Sequence, residues 1–168
     1  ANRFGRISPT TAQHVREELG DRVALVLDGG PCEVGIESTI VDLTSGVVLL
    51  RPGRISREEI ENLLQIKVKN PDSSSPRHSG GLARHYAPRT PARLVAPHAL
   101  DAEIARLGTA VAVLAFSRPD ERVDYWIRMP KEPQAYARRL YAALRELDTA
   151  GCETILVESP PETPEWTA

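Results

Sequence analysis

The chain has 168 residues, 41% of them hydrophobic and 26% charged, with a formal net charge of -2. That fits a soluble globular protein of one ordinary domain or two small ones. It excludes a global basic field that would point to nucleic acid, although a local basic strip stays open. No apolar run approaches the roughly 20 residues of a membrane span, and no signal peptide is visible.

The two cysteines, Cys32 and Cys152, are far apart and form no CxxC pair. They point to a reducing, cytoplasmic setting, with neither a disulfide framework nor a zinc site. The chain starts at Ala1 without Met and stops within Glu165-Trp166-Thr167-Ala168, so it reads as a fragment cut at both ends.

Taken in order, residues 2–8 (NRFGRIS) read as a polar loop. Ser8 as N-cap and Pro9 as first helical residue predict a helix to Leu19, with Ala12, Val15 and Leu19 on one face and Gly20 as its stop. The run VALVL, Val23–Leu27, predicts a buried strand. Asp28-Gly29-Gly30 turns the chain into Gly29–Leu43, GGPCEVGIESTIVDL. Here Gly29, Gly30 and Gly35 can take positive φ, and Glu37, Ser38 and Thr39 gather at the mouth of a strand, Ile40–Leu43. Two readings stay open. One is a hairpin loop whose Ser and Thr satisfy its own turn. The other is a pocket in which Ser38 and backbone N–H groups hold a polar ligand. Glu37 near Asp42 could pair as acid and base, but strand alternation fits equally well.

Val47–Leu50 returns as the second hairpin strand and ends at Arg51-Pro52-Gly53. Arg51 leaves the end of a sheet, either as a solvated side chain or as a guanidinium clamp on phosphate. Ser56 to Glu59 (SREE) is a capping box opening a helix to about Leu64, with Ile60, Leu63 and Leu64 inward. Residues 67–81 are rich in Ser, Pro, Gly and charge and read as linker. Leu82–Pro91, LARHYAPRTP, is an extended, pre-stiffened segment. It either lies across a site as a strap or marks a boundary anchored by Tyr86.

A second unit begins at Ala92. Arg93–Val95 is a strand, Leu100–Leu107 a helix with Ala99, Ile104 and Leu107 as its apolar side, and Ala110–Phe116 a buried strand. Tyr125–Met129 reads as a short strand. Gln134–Asp148 is the strongest helix, with Tyr136, Leu140, Ala143, Leu144 and Leu147 at helical spacing. Gly151 stops it and Thr154–Val157 is the next strand. Such alternation implies right-handed parallel crossovers and a small Rossmann-like layer. No GxGxxG, GxxxxGK[ST] or GxSxG is present. His14, on a helix surface, and His98, in a loop, read as structural, and His14, His78, His85 and His98 show no ligand spacing.

Several motifs coincide. Ala1-Asn2, Gly5 and Ser8-Pro9-Thr10 look like the tail of an S-A-N-x-S-G-x-x-S-P-T run. LDGG…G-ESTIVD, LRPG and RHYAP-x-TP follow in order. Together they closely resemble the YrdC-like family of L-threonylcarbamoyladenylate synthases in its two-domain form. The motifs cover residues 1 to about 91, and the rest resembles that form's Rossmann-like C-terminal domain.

The resemblance implies an α/β fold in three parts. Residues 1–66 would be the C-terminal part of a YrdC-like twisted sheet, 67–91 a linker carrying the RHYAP motif, and 92–168 a small Rossmann-like parallel domain. It implies a nucleotidyltransferase that condenses L-threonine, bicarbonate and ATP, with Mg²⁺, into threonylcarbamoyl-AMP and pyrophosphate. This is the first step of N6-threonylcarbamoyladenosine formation in tRNA, with transfer machinery acting downstream. By resemblance Asn2, Thr10, Arg51 and Tyr86 contact ATP and Ser38 binds threonine, with Ser8 and His85 nearby. No covalent nucleophile and no direct protein metal ligand is expected.

The family's Lys-x-Arg stretch and the serine of S-A-N precede the start of this chain, and Phe4-Gly5 stands for the usual Ser-Gly. The chain by itself is therefore expected to be inactive. Two alternatives are a module binding tRNA or double-stranded RNA, using Arg3, Arg6, Arg51 and Arg54, and the YrdC-like domain of another carbamoyltransferase. Overall negative charge weighs against the first, and the RHYAP linker with its following domain against the second.

Overall fold

The structure is a computed structural model and describes residues 2–80 and 85–166. Its centre is a four-stranded parallel sheet in the order β3-β6-β4-β5, formed by β3 (Ala92–Val95), β4 (Val111–Ala115), β5 (Tyr125–Arg128) and β6 (Thr154–Glu158). In register, Ala92 faces Ile155, Val111 faces Thr154 and Ala112 faces Tyr125. The α/β class expected for this half is what folds.

Strands buried on both faces read as continuous apolar runs, and β4, VAVLA, shows no polar alternation for that reason. Every β4 residue is buried. Helix α3 (Leu100–Leu107) covers one face, where Ile104 meets Val111, Val113 and Leu156. Helix α4 (Pro133–Asp148) covers the other, where Ala143, Leu144 and Leu147 pack with Ala112, Leu114 and Ile155. Glu132 caps α4 by accepting from the amides of Gln134 and Ala135 at 3.1 and 2.7 Å. Pro133 supplies a preset φ at the first position.

The first unit is smaller. An antiparallel hairpin joins β1 (Ile40–Asp42) to β2 (Val48–Arg51). Asp42 is spent on its turn, accepting from Thr44 N at 3.0 Å and Thr44 Oγ1 at 3.1 Å, so it forms no acid–base pair with Glu37. The expected linker opens with order. Lys69 bridges Val48, exchanging backbone bonds with Val47 and Leu49, and Val68 is buried.

Three expectations are corrected. Helix α1 spans Ala12–Leu19, and its cap is Thr11, not Ser8. The Ser8 hydroxyl donates to Glu37 instead, so it is unavailable to the helix. Val23–Leu27 is not a buried strand: Leu25 and Leu27 are 75% and 83% exposed. An apolar run becomes a buried strand only beside a ladder partner and under covering layers, and the described residues place neither against it.

Helix α2 (Arg57–Leu64) keeps the capping box but not its inward leucines. Leu63 and Leu64 are exposed and Ile60 is half-buried. The helix is held by its polar side instead. Arg57 donates to Val68 O and to Asn70 Oδ1, and Glu61 accepts from Val68 N at 2.9 Å. Ser56→Ala is expected to lower stability by about 1 kcal/mol through loss of the hydrogen bond that Glu59 N donates to the Ser56 hydroxyl, read as a lower denaturation midpoint at unchanged slope.

Among the described residues no helix is long and apolar enough to cross a membrane.

Candidate functional site

The loop before α1 folds back on itself because Asn2 donates its amide to Arg3 O at 3.1 Å and Arg6 O at 2.9 Å. The same loop receives the strap. Ala87 N donates to Gly5 O at 3.0 Å, and Arg6 and Ala87 form a parallel bridge. Ser8 points its hydroxyl at Glu37 and lies 3.4 Å from Asn2 Oδ1.

The hairpin brings its own loop to the same place. Gly53 sits so close that a Cβ there would lie 2.6 Å from Glu37 O and 2.7 Å from Ser38 C, so only glycine lets the Arg51-Pro52-Gly53 turn rest on the 37–39 backbone. Thr39 Oγ1 clamps the two layers, donating to Ile55 O at 2.8 Å and accepting from Ile55 N at 3.1 Å.

Arg51 is the hub. Its Nε donates to Ser38 O at 2.9 Å and Nη2 to Ser38 Oγ at 3.1 Å. Nη1 donates to Ser79 O at 3.0 Å and to the Tyr86 hydroxyl at 2.8 Å. Glu37 Oε2 lies 4.0 Å from Nη2. A fork of five donors suits this many partners, whereas a lysine ammonium could not span them.

Tyr86 takes φ of 52°, a left-handed conformation that costs a side-chain-bearing residue, and it is held there by Arg51. Burial first, and then the Glu37 charge, push its phenol up, against the opposing pull of Arg51, so the hydroxyl stays protonated. Its ring stacks edge-on with His85 at 4.0 Å and lies 6.1 Å from that of Tyr141. The buried Nδ1 of His85 has no hydrogen-bond partner among the described residues.

Of the residues singled out from sequence, Asn2, Ser8, Ser38, Arg51 and Tyr86 thus form one connected polar cluster, with His85 at its edge. Thr10 stands apart. It is 5% exposed, and its hydroxyl lies 3.2 Å from His14 Nδ1. Burial, then the nearby Arg145, lower the pKa of His14 below 6.5 and favour its neutral ring. Leu82 to Arg84, the first part of the strap motif, lie outside the described residues.

Glu37 is the member of the cluster that sequence reasoning left unassigned. Its one signal was its place beside Ser38 in a glycine-flanked loop. A cavity of about 1240 Å³ opens next to the cluster, between α2 and the start of α4, walled by residues such as Arg54, Arg57, Glu132 and Arg138. Ser38, Arg51 and Tyr86 are not on that wall.

Chemically, the cluster holds a guanidinium, two serine hydroxyls and a protonated phenol beside the Glu37 carboxylate. Such donors suit phosphate oxygens and an amino-acid carboxylate.

The family model described as "Threonylcarbamoyl-AMP synthase, C-terminal domain" matches residues 55–168. The chain belongs to this family. A second model, described as "Telomere recombination", matches residues 1–53. Among curated relatives, the threonylcarbamoyl-AMP synthase of Pyrococcus abyssi is 33% identical over 179 residues, covering 96% of this chain and 52% of that protein. The Bacillus subtilis one is 33% identical over 177 residues, covering 97% and 51%. A putative one from Mycobacterium tuberculosis is 46% identical over 67 residues, covering 39% and 31%.

The chain therefore spans about half the length of the curated relatives it matches. The crystal structure of P. abyssi Sua5 complexed with L-threonine superposes with a TM-score of 0.84 at 30% identity, over 99% of this chain and 53% of that one. A variant of the same archaeal protein with His and Tyr both changed to Ala superposes at 0.75 with 28% identity, over 98% and 49%. The fold expected from the family motifs is the fold found.

Proposed function

We propose that the full-length protein containing this chain makes threonylcarbamoyl-AMP from L-threonine, bicarbonate and ATP. The observation that carries the reading is the single cluster joining Ser8, Glu37, Ser38, Arg51 and Tyr86, on a chain 33% identical to a threonylcarbamoyl-AMP synthase over 96% of its own length.

In this reading the amine of threonine and bicarbonate condense to a carbamate with loss of water. A carbamate oxygen then attacks the α-phosphorus of ATP, the bond to the β-phosphate oxygen breaks, and pyrophosphate leaves. Arg51 exchanges Ser79 O and the Tyr86 hydroxyl for phosphate oxygens and stabilises the charge that builds there. Ser38 holds the threonine. Asn2 and Tyr86 contact the nucleotide, and Ser8 and His85 border it; Thr10 reaches it only by giving up its contact with His14. The strap shields a carbamate and a mixed anhydride that water would destroy.

Mg²⁺ would enter bound to the triphosphate and would supply charge neutralisation at its phosphate oxygens. Residues 1–66 supply the site loops, 67–91 the strap and 92–168 a supporting domain. The product passes to the enzymes that modify tRNA, in the cytoplasm.

The test is pyrophosphate release by the full-length protein. Release is expected only when threonine and bicarbonate are both present with ATP. Release independent of threonine would sink the reading.

A further inference from the structure

One stripe of α4 touches three of the loops that build the cluster. Arg138, Tyr141, Arg145 and Asp148 recur at intervals of three, four and three residues, which is one face of a helix. The four positions serve three loops, with Tyr141 and Asp148 both on the strap. At Arg138 the glycine-rich loop lies directly on the helix backbone: a Cβ on Gly35 would stand 2.6 Å from Arg138 O and 2.7 Å from Ala137 O. Tyr141 lies beside the ring of Tyr86. Arg145 donates to Ile7 O, one residue before Ser8, and to Glu18 Oε2 at 3.3 Å. Asp148 accepts from the strap amides of Arg89 at 3.0 Å and Thr90 at 2.7 Å.

These partners are costly to misplace. The buried Glu18 pairs with the half-buried Arg145, an ion pair that ties α1 and the loop before it to α4. The strap amides belong to an irregular segment with no strand neighbour at Arg89 among the described residues, and the Asp148 carboxylate is the acceptor they meet.

We infer that α4 of the C-terminal unit is the mount that positions the substrate-binding loops, with Asp148 and Arg145 as positioning residues. This rests on the functional reading above and gives the C-terminal unit a task within the same site. Neither residue touches the cluster's donor groups, so each acts on the fraction of molecules whose loops are already in place. Apparent ligand affinity falls by that fraction, while turnover of the bound complex is unchanged.

The experiment uses the full-length protein and Asp148→Ala, a half-buried site at the end of α4 where truncation leaves the core intact. Three quantities are measured: amide hydrogen exchange at Arg89 and Thr90, the Kd of a non-hydrolysable ATP analogue, and kcat for pyrophosphate release. Expected are faster exchange at both amides, a Kd raised by about five- to tenfold, and kcat within twofold of the parent. Arg145→Lys, which keeps the charge but cannot fork to both Ile7 O and Glu18, is expected to raise Kd in the same direction.

Wild-type Kd in Asp148→Ala would overturn the inference, as would an Arg145→Lys protein with a lowered melting temperature and unchanged Kd. If the parent itself binds no analogue and releases no threonine-dependent pyrophosphate, the functional reading fails instead. The exchange rates at Arg89 and Thr90 still report whether Asp148 orders the strap.

Discussion

Gly35→Ala is expected to destabilise the full-length protein by about 2–5 kcal/mol. Two effects add. Gly35 has φ of +84°, which costs a residue with a Cβ. The added methyl would also meet Arg138 O at 2.6 Å and Ala137 O at 2.7 Å. Both atoms are main chain of α4, so no side-chain rotation can make room. Either the glycine-rich loop lifts off the helix or the helix shifts, and Ser38 moves with the loop.

Gly29→Ala is the control. A Cβ there meets nothing within 4 Å, and its effect is expected to stay within about 0.5 kcal/mol. Urea denaturation of the two variants side by side checks the pair. Equal midpoints would show that the loop does not depend on its seat.

The second large effect is on activity. Arg51→Ala is expected to lower threonine-dependent pyrophosphate release by roughly 10²–10³-fold, the size typical of losing one fixed donor to a developing oxyanion. It also removes the four hydrogen bonds to Ser38, Ser79 and Tyr86 and the cation beside Glu37. Tyr86 then loses the partner that holds its left-handed backbone, so the strap loosens as well. Arg51→Lys is expected to recover little, because an ammonium cannot reach both Ser38 and Tyr86 with a planar fork. A rate in Arg51→Ala within tenfold of the parent, measured at saturating ATP, would count against Arg51 as the phosphate contact.

Glu37 colours this result. Its carboxylate sits beside the guanidinium and so opposes an incoming phosphate, while it also holds the Ser8 hydroxyl. Removing Arg51 leaves that negative charge unbalanced, so the loss in nucleotide affinity exceeds what the missing phosphate contact alone would produce.

The second unit was almost wholly readable from its residues. Its strands and helices follow from continuous apolar runs and from Tyr136, Leu144 and Leu147 at helical spacing, and the observed bounds differ by at most one residue. The capping box at Ser56 and Glu59 formed as written, because both partners lie within one turn. The motifs around Asn2, Ser38, Arg51 and Tyr86 led to one cluster. In the first unit the same rules misled. Val23–Leu27 and the leucines of α2 are apolar enough to be core, yet no covering layer lies against them among the described residues.

Sequence alone therefore determined the family and the element types and order of the second unit, since propensity, periodicity and capping act over a few neighbouring residues. Tertiary structure decided that Glu37 sits between Ser8 and Arg51, that Ser8 is drawn away from capping α1, and that α4 seats the three loops. Ile7 and Arg145 are 138 residues apart. No local pattern encodes such a pairing; it exists only once the sheet has placed α4 and the hairpin has placed its loops against the same face.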